Sequence, residues 1–152
     1  MDLTQAYPRS PYEQLDGLTW LPRMIDKARA HVAGTVGEYS YPCGMDRAAL
    51  DFYGISADAI LELIREGATD EAITRYVRAH MFPRSTDELE AFRFGLLFAP
   101  PQEDEHCALL EQLRSEMGLK GHTIRTFAEA IAVDENWPIP KASEGAPGRP
   151  QS

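Results

Sequence analysis

Between Ser10 and Gly34 the chain carries two successive sets of helix start and stop signals, which cut it into segments too short for anything but small helices. Ser10 can cap a helix, Pro11 suits its first position, and Glu13 stands three residues after the cap. This capping box predicts a short helix ended by Asp16-Gly17, with Gly17 in the left-handed conformation. A longer helix follows, with Thr19 as its cap and Pro22 in the first turn, where no backbone donor is lost. Leu21, Ile25, Ala28 and Val32 form one apolar stripe, and Gly34 is the stop. The other face carries Arg23, Asp26, Lys27 and Ala30, with Arg29 and His31 at its edge.

The same punctuation recurs downstream. After a loop from Thr35 to Gly44, a short helix is predicted from Met45 to Tyr53, with Asp46 in its first turn and Gly54 after it. Ser56 caps a helix with the stripe Ile60, Leu63 and Ile64; Thr69 caps another with Ile73, Tyr76, Val77 and His80 on one face. Ser85 and Glu88 form a second capping box, opening a helix through Leu89, Phe92 and Leu96. Its far end, Phe92 to Phe98, is apolar nearly all round, which predicts burial or an interface. Pro100-Pro101 breaks the chain before a helix from Gln102 to Met117, with Leu110, Leu113 and Met117 inward and His106 half-buried at the top of that stripe. A turn at Gly118 to Gly121 leads to a last helix, Thr123 to Asp134, carrying Ile124, Phe127, Ala128 and Ile131. No strand is predicted. The expectation is an all-α, compact single-domain bundle of about six to eight short helices. Its span is residues 1–136 with an extended N-terminal arm, followed by a flexible Pro- and Gly-rich tail at 137–152.

Composition narrows the function classes. An apolar fraction of 43% and a charged fraction of 26% are those of a globular domain. The net charge of −9 argues against nucleic acid or an anionic membrane as the main partner, since both call for a positive face. Cys43 and Cys107 lie far apart with no metal-ligand spacing, as in a reduced cytosolic protein. There is no charged-then-apolar leader, and no apolar run approaches the roughly 18 residues of a membrane helix. The expected location is therefore the cytoplasm.

Four groups of residues are candidates for chemistry. Arg9, Arg23, Asp26, Lys27 and Arg29 can form an anion site, because an arginine oriented by a carboxylate presents its remaining donors to a phosphate or carboxylate. The same residues can instead form an ion pair that ties the Pro8-Arg9-Ser10-Pro11 arm to the first long helix. Cys43 precedes a helix start, where a thiol can act as a nucleophile, with His31 as a conceivable base; its plainer role is packing under the loop. Glu103 and His106 have the Glu-x-x-His spacing of di-iron bundles, but no second copy exists, and no metal is expected. Tyr7, Tyr12, Trp20, Tyr39, Tyr41, Phe52 and Tyr53 can wall a pocket or simply fill a core. A phosphate-cradling glycine loop, a Gly-x-Ser-x-Gly elbow and a His-Glu-x-x-His helix are all missing from the sequence.

The run Pro8-Arg9-Ser10-Pro11, then Gly17-Leu18, then Leu21-Pro22-Arg23-Met24-Ile25-Asp26-Lys27-Ala28-Arg29 resembles the signature of a bacterial family catalogued as domain of unknown function 5069. The resemblance runs on through Leu50-Asp51-Phe52-Tyr53-Gly54-Ile55 and Thr69-Asp70-Glu71-Ala72 to about Leu97. It implies a small soluble domain and brings no established activity, so the functional expectations rest on the residues. The first is a module binding a small anionic metabolite through Arg9, Arg23, Asp26 and Lys27, with Tyr39, Tyr41 and Cys43 close by and no cofactor. The second is an interaction or assembly module, with a homo-oligomer formed through Phe92 to Phe98. The third is an enzyme using Cys43 or His31.

Overall fold

The computed structural model of the chain describes residues 1–141. Seven α-helices and one 3-10 turn carry most of its regular structure, with one two-stranded β-pair. The expected all-α class of six to eight short helices holds, and the strand pair is a small addition where no strand was predicted. β1 (Gln14–Leu15) and β2 (Leu18–Thr19) are antiparallel, with Gln14 opposite Thr19 and Leu15 opposite Leu18. Asp16 and Gly17 connect them at φ 50° and 74°, the doubly positive turn that matches the twist of a two-residue hairpin. The predicted capping box at Ser10 is a turn instead of a helix start. Ser10 O accepts from Glu13 N at 3.2 Å and Ser10 Oγ from Tyr12 N at 3.1 Å. A serine followed by proline serves either role, and the adjacent Asp-Gly decides for the hairpin.

The contacts within the chain separate two units, Met1–Ser85 and the residues from Thr86 onward. The first is built around α1 (Leu21–Ala33), which packs against α3 (Ala57–Arg65) and β1. The cap of α1 is Trp20, not Thr19, and its φ of 72° is unusual for an aromatic residue. The chain turns there directly out of the hairpin and buries the indole beneath α1. Pro22 lies in the first turn and Gly34 closes the helix at φ 73°. Nine of the thirteen residues of α1 are buried, among them Arg23, Asp26 and Lys27. The predicted polar face is therefore interior, and Val32, predicted inward, is exposed. α2 (Gly44–Tyr53), α3 and α4 (Asp70–His80) follow; Ser56 Oγ accepts from Ala59 N at 3.0 Å and Thr69 Oγ1 from Ala72 N at 3.1 Å, as their positions predict. α3 buries Ile60 and Leu61, leaving Leu63 and Ile64 half-buried, and on α4 His80 is exposed and stacks on Tyr76 at 4.1 Å.

In the second unit α5 (Thr86–Leu97) buries Leu89, Arg93 and Leu97, one position round from the predicted stripe of Leu89, Phe92 and Leu96. Phe94, inside the apolar stretch predicted buried or interfacial, is 52% exposed. α6 (Asp104–Glu116) buries Leu110 and leaves His106 exposed, against the prediction for that residue. A 3-10 turn at Gly118–Gly121 leads to α7 (Phe127–Glu135), which starts four residues later than predicted because Thr126 is the cap, accepting from Glu129 N at 3.0 Å. A Cβ on Gly121 would lie 2.3 Å from Arg114 O, so only glycine fits. Leu110, Ile124 and Ala130 form a core here, packed by Met117, Phe127 and Val133. In the predicted tail, Trp137 Nε1 donates to Glu135 Oε1 at 2.8 Å, and residues 142–152 lie outside the described residues.

Candidate functional site

The charged residues of α1 sort into two clusters, both in the first unit. The first joins the N-terminal arm to α1 and α4. Arg9 grips Asp26 with both edges of its fork, Nε to Oδ2 at 3.1 Å and Nη2 to Oδ1 at 3.1 Å, while its backbone N donates to Oδ2 at 2.8 Å. Arg9 Nη1 also reaches Asp70 Oδ2 at 2.8 Å, and Arg29 Nη1 reaches Asp70 Oδ1 at 2.8 Å. Two arginines thus face two carboxylates, and the set is neutral. Burial works against the Arg9 charge, but the hydrogen bonds and charges of Asp70 and Asp26 outweigh it and hold the guanidinium above its ordinary range. Burial likewise pushes the Asp70 carboxyl up, and Arg9 and Arg29 more than reverse this, leaving it below the usual carboxylate range. Arg23 donates through Nη1 to Arg9 O at 3.2 Å and stands 5.7 Å from the ring centres of both Trp20 and Tyr39.

The second cluster is built on Lys27, which lies between Asp26 and Arg29 in α1 and joins that helix to α2. Lys27 is 3% exposed, and its Nζ donates to Asp46 Oδ2 at 2.7 Å and to Cys43 Sγ at 3.0 Å. Asp46, fully buried near the start of α2, also accepts from Trp20 Nε1 at 2.7 Å and from Cys43 N at 2.9 Å. Cys43 is the cap of α2 and is half-buried, with its sulfur on the interior ammonium of Lys27. A lysine enclosed this way is stable because its charge has a carboxylate partner that is itself fully hydrogen-bonded. Pro42, before Cys43, follows a cis peptide bond.

Of the residues singled out in sequence, Arg9 and Asp26 meet directly, Arg23 touches the Arg9 backbone, and Lys27 meets Cys43. Tyr41 packs apart from them; its hydroxyl donates to Ala57 O at 3.0 Å, and burial is the main cause that pushes its pKa up. His31 is exposed, its ring tilted against Tyr41 at 6.2 Å, and the nitrogen that contacts the Cys43 sulfur is that of Lys27. Among the aromatics Tyr12, Trp20, Tyr41 and Tyr53 are buried, Tyr39 and Phe52 half-buried, and Tyr7 exposed. Sequence reasoning placed Asp46 and Asp70 only as first-turn acids and gave Trp20 no polar partner. A cysteine cap with aspartate three residues on is the capping-box pattern, and that signal pointed to Asp46.

Two open depressions of the surface lie elsewhere. One, of about 370 Å³, is lined by Leu15, Asp16, Glu71, Thr74 and Arg75; the other, of about 320 Å³, is lined by Pro100, Pro101, Cys107, Leu110 and neighbouring charged side chains. Among the described residues no group of three or more His, Cys, Asp and Glu is arranged to hold a metal, and no helix is long and apolar enough to cross a membrane. His106 Nδ1 lies 3.5 Å from Glu103 Oε2, an exposed contact within one helix turn.

These features define a mostly helical protein whose polar interior is concentrated on one helix and the arm before it. A family model described as a domain of unknown function, DUF5069, matches residues 5–137, and the chain belongs to that family. The match takes in both units and extends past the point where the sequence resemblance fades. No curated protein matches the chain.

Proposed function

We propose that the protein works through Cys43, as a nucleophilic thiol presented by Lys27. The observation behind this reading is the 3.0 Å contact between the buried Lys27 ammonium and the sulfur of Cys43, a half-buried residue. Cysteine attacks an electrophile through sulfur, and an ammonium hydrogen-bonded to that sulfur holds it in one orientation. Asp46 fixes the lysine, Trp20 fixes Asp46, and the cysteine they position is a half-buried residue. The reaction class is attack of sulfur on a small electrophile. The test is alkylation of the intact chain by iodoacetamide, with the two cysteines followed separately by peptide mass spectrometry. Cys107 is the internal reference, being exposed with its Sγ on Pro101 O at 3.2 Å. Cys43 is expected to react faster than Cys107 despite its lower exposure, and to lose that advantage in Lys27→Met. Faster reaction at Cys107, with Cys43 indifferent to Lys27, sinks the reading.

Capture of a small anion is the second reading, favoured by the meeting of Arg9 and Arg23 on the arm and α1, with Lys27 on the same helix. A ligand there competes with Asp26, Asp70 and Asp46 for the same donors. A ligand present at about 100 times its dissociation constant stabilises by roughly 2.7 kcal/mol, so melting against a panel of anionic metabolites reads it. A shift lost in Arg23→Ala supports it.

A further inference from the structure

The Lys27–Cys43 contact holds two nucleophiles, sulfur and nitrogen, at a separation typical of reacting atoms, about 3–3.5 Å. An oxidised sulfur at this position has a nitrogen next to it before any second molecule arrives. We infer that oxidation of Cys43 by a peroxide is captured by Lys27 as a sulfur–nitrogen bond, covalently tying α1 to the start of α2. The inference rests on the reading of Cys43 as the reactive thiol.

The steps balance with hydrogen peroxide as the oxidant. The Cys43 sulfur attacks one peroxide oxygen; the S–O bond forms, the O–O bond breaks, and the departing hydroxide takes the thiol proton and leaves as water. Sulfur is oxidised to a sulfenic acid and the peroxide is reduced. Lys27 Nζ then passes one proton to Asp46 Oδ2, 2.7 Å away, and the freed lone pair attacks sulfur. The S–N bond forms and the S–O bond breaks; the hydroxide takes a second ammonium proton and leaves as a second water. The product is a sulfenamide, a species sulfenic acids are known to form with backbone nitrogen. The buried site stays neutral throughout, because the lysine loses its positive charge as Asp46 gains a proton. A lysine held on a carboxylate with no sulfur beside it offers no such route.

The experiment treats the full chain carrying Cys107→Ser with hydrogen peroxide, then maps peptides before and after a thiol reductant. The Cys107 substitution matters because a disulfide between the two cysteines loses the same two hydrogens as the S–N link. The expected product is a Lys27 peptide joined to a Cys43 peptide, lighter by two hydrogens than the reduced pair. Tryptic cleavage after Lys27 is lost, and reductant restores it. In Lys27→Arg, whose guanidinium is a poor nucleophile, Cys43 is expected to run on to sulfinic acid. Should that variant fail to fold, the joined peptide and its reversal decide the matter alone. Sulfinic acid at Cys43 with normal cleavage after Lys27 overturns the inference, and alkylation of Cys43 faster than Cys107 in the untreated parent chain shows that the thiol reading survives it.

Discussion

Asp46 is fully buried and accepts from Trp20, Lys27 and Cys43, so it ties the hairpin end, α1 and the start of α2 together. Removing its charge leaves Lys27 enclosed without a partner. Breaking one side of a buried pair costs about 3–5 kcal/mol, so Asp46→Asn is expected to lower the denaturant midpoint substantially. The double variant Asp46→Asn/Lys27→Met should recover part of the loss. A single variant as stable as the parent would mean that Asp46 does not hold the lysine charge. Asp70 makes a different prediction. Its pKa is lowered in the fold by Arg9 and Arg29 against the opposing push of burial. A depressed carboxylate stabilises the fold above its unfolded pKa, and that contribution is lost as pH falls below about 3.8 toward the folded value. Asp70→Asn should therefore destabilise at neutral pH and flatten the acid limb of the stability curve below pH 4. An acid limb identical to that of the parent would refute the assignment. Neither carboxylate was legible as a partner in sequence: each stands in the first turn of a helix, where favourable interaction with the helix dipole already accounts for it. The Arg9–Asp26 pair was legible as one of two alternatives, because both residues lie in a dense polar run around a helix start.

At the scale of elements, caps and stops were readable and short-range competition between signals was not. Ser56, Thr69, Gly34 and Gly54 sit where the sequence places them, because each signal acts on backbone groups within four residues. The hairpin was missed because its strands are two residues long, too short for alternation to register, and because Ser10-Pro11 with Glu13 imitates a helix start. The α1 stripe located Leu21, Ile25 and Ala28 but not the burial of the opposite face, which depends on what the arm and α2 place there. Two helix-closing glycines allow a controlled test. Gly54 and Gly67 sit at φ 75° and 83°; a Cβ on Gly54 would lie 2.6 Å from the Phe82 ring, whereas one on Gly67 meets open space. Gly67→Ala should cost the left-handed penalty alone, about 1–2 kcal/mol. Gly54→Ala should cost that and more, since Phe82 N is held on Tyr53 O at 2.9 Å while its ring must swing away. Equal melting temperatures for the two variants would show that the Phe82 ring moves without cost.

For the whole molecule, charge is the property that sequence and structure bear on together. The chain has a net charge of −9, and the basic residues of its most distinctive segment are committed internally: Arg9 and Arg29 to Asp26 and Asp70, Lys27 to Asp46. The field a polyanion meets is set instead by what remains outside: among the described residues Arg47, Arg65, Arg75, Arg78, Lys120, Arg125 and Lys141 are exposed, among a larger number of exposed carboxylates. Nucleic-acid binding draws much of its affinity from counterions released by several basic side chains acting together. These cations are spread over several elements, Arg65 and Arg78 are paired with Glu62 and Asp16, and the surrounding carboxylates repel the phosphates, so they do not act as such a stripe. Titration of the protein into a labelled duplex or single strand at about 0.1 M salt, where the screening length is roughly 10 Å, is therefore expected to leave fluorescence anisotropy unchanged. A saturable rise that falls steeply with added salt would mean that a basic face is assembled despite the net charge. Loss of that rise in Arg47→Glu, Arg75→Glu or Arg125→Glu would say which element carries it.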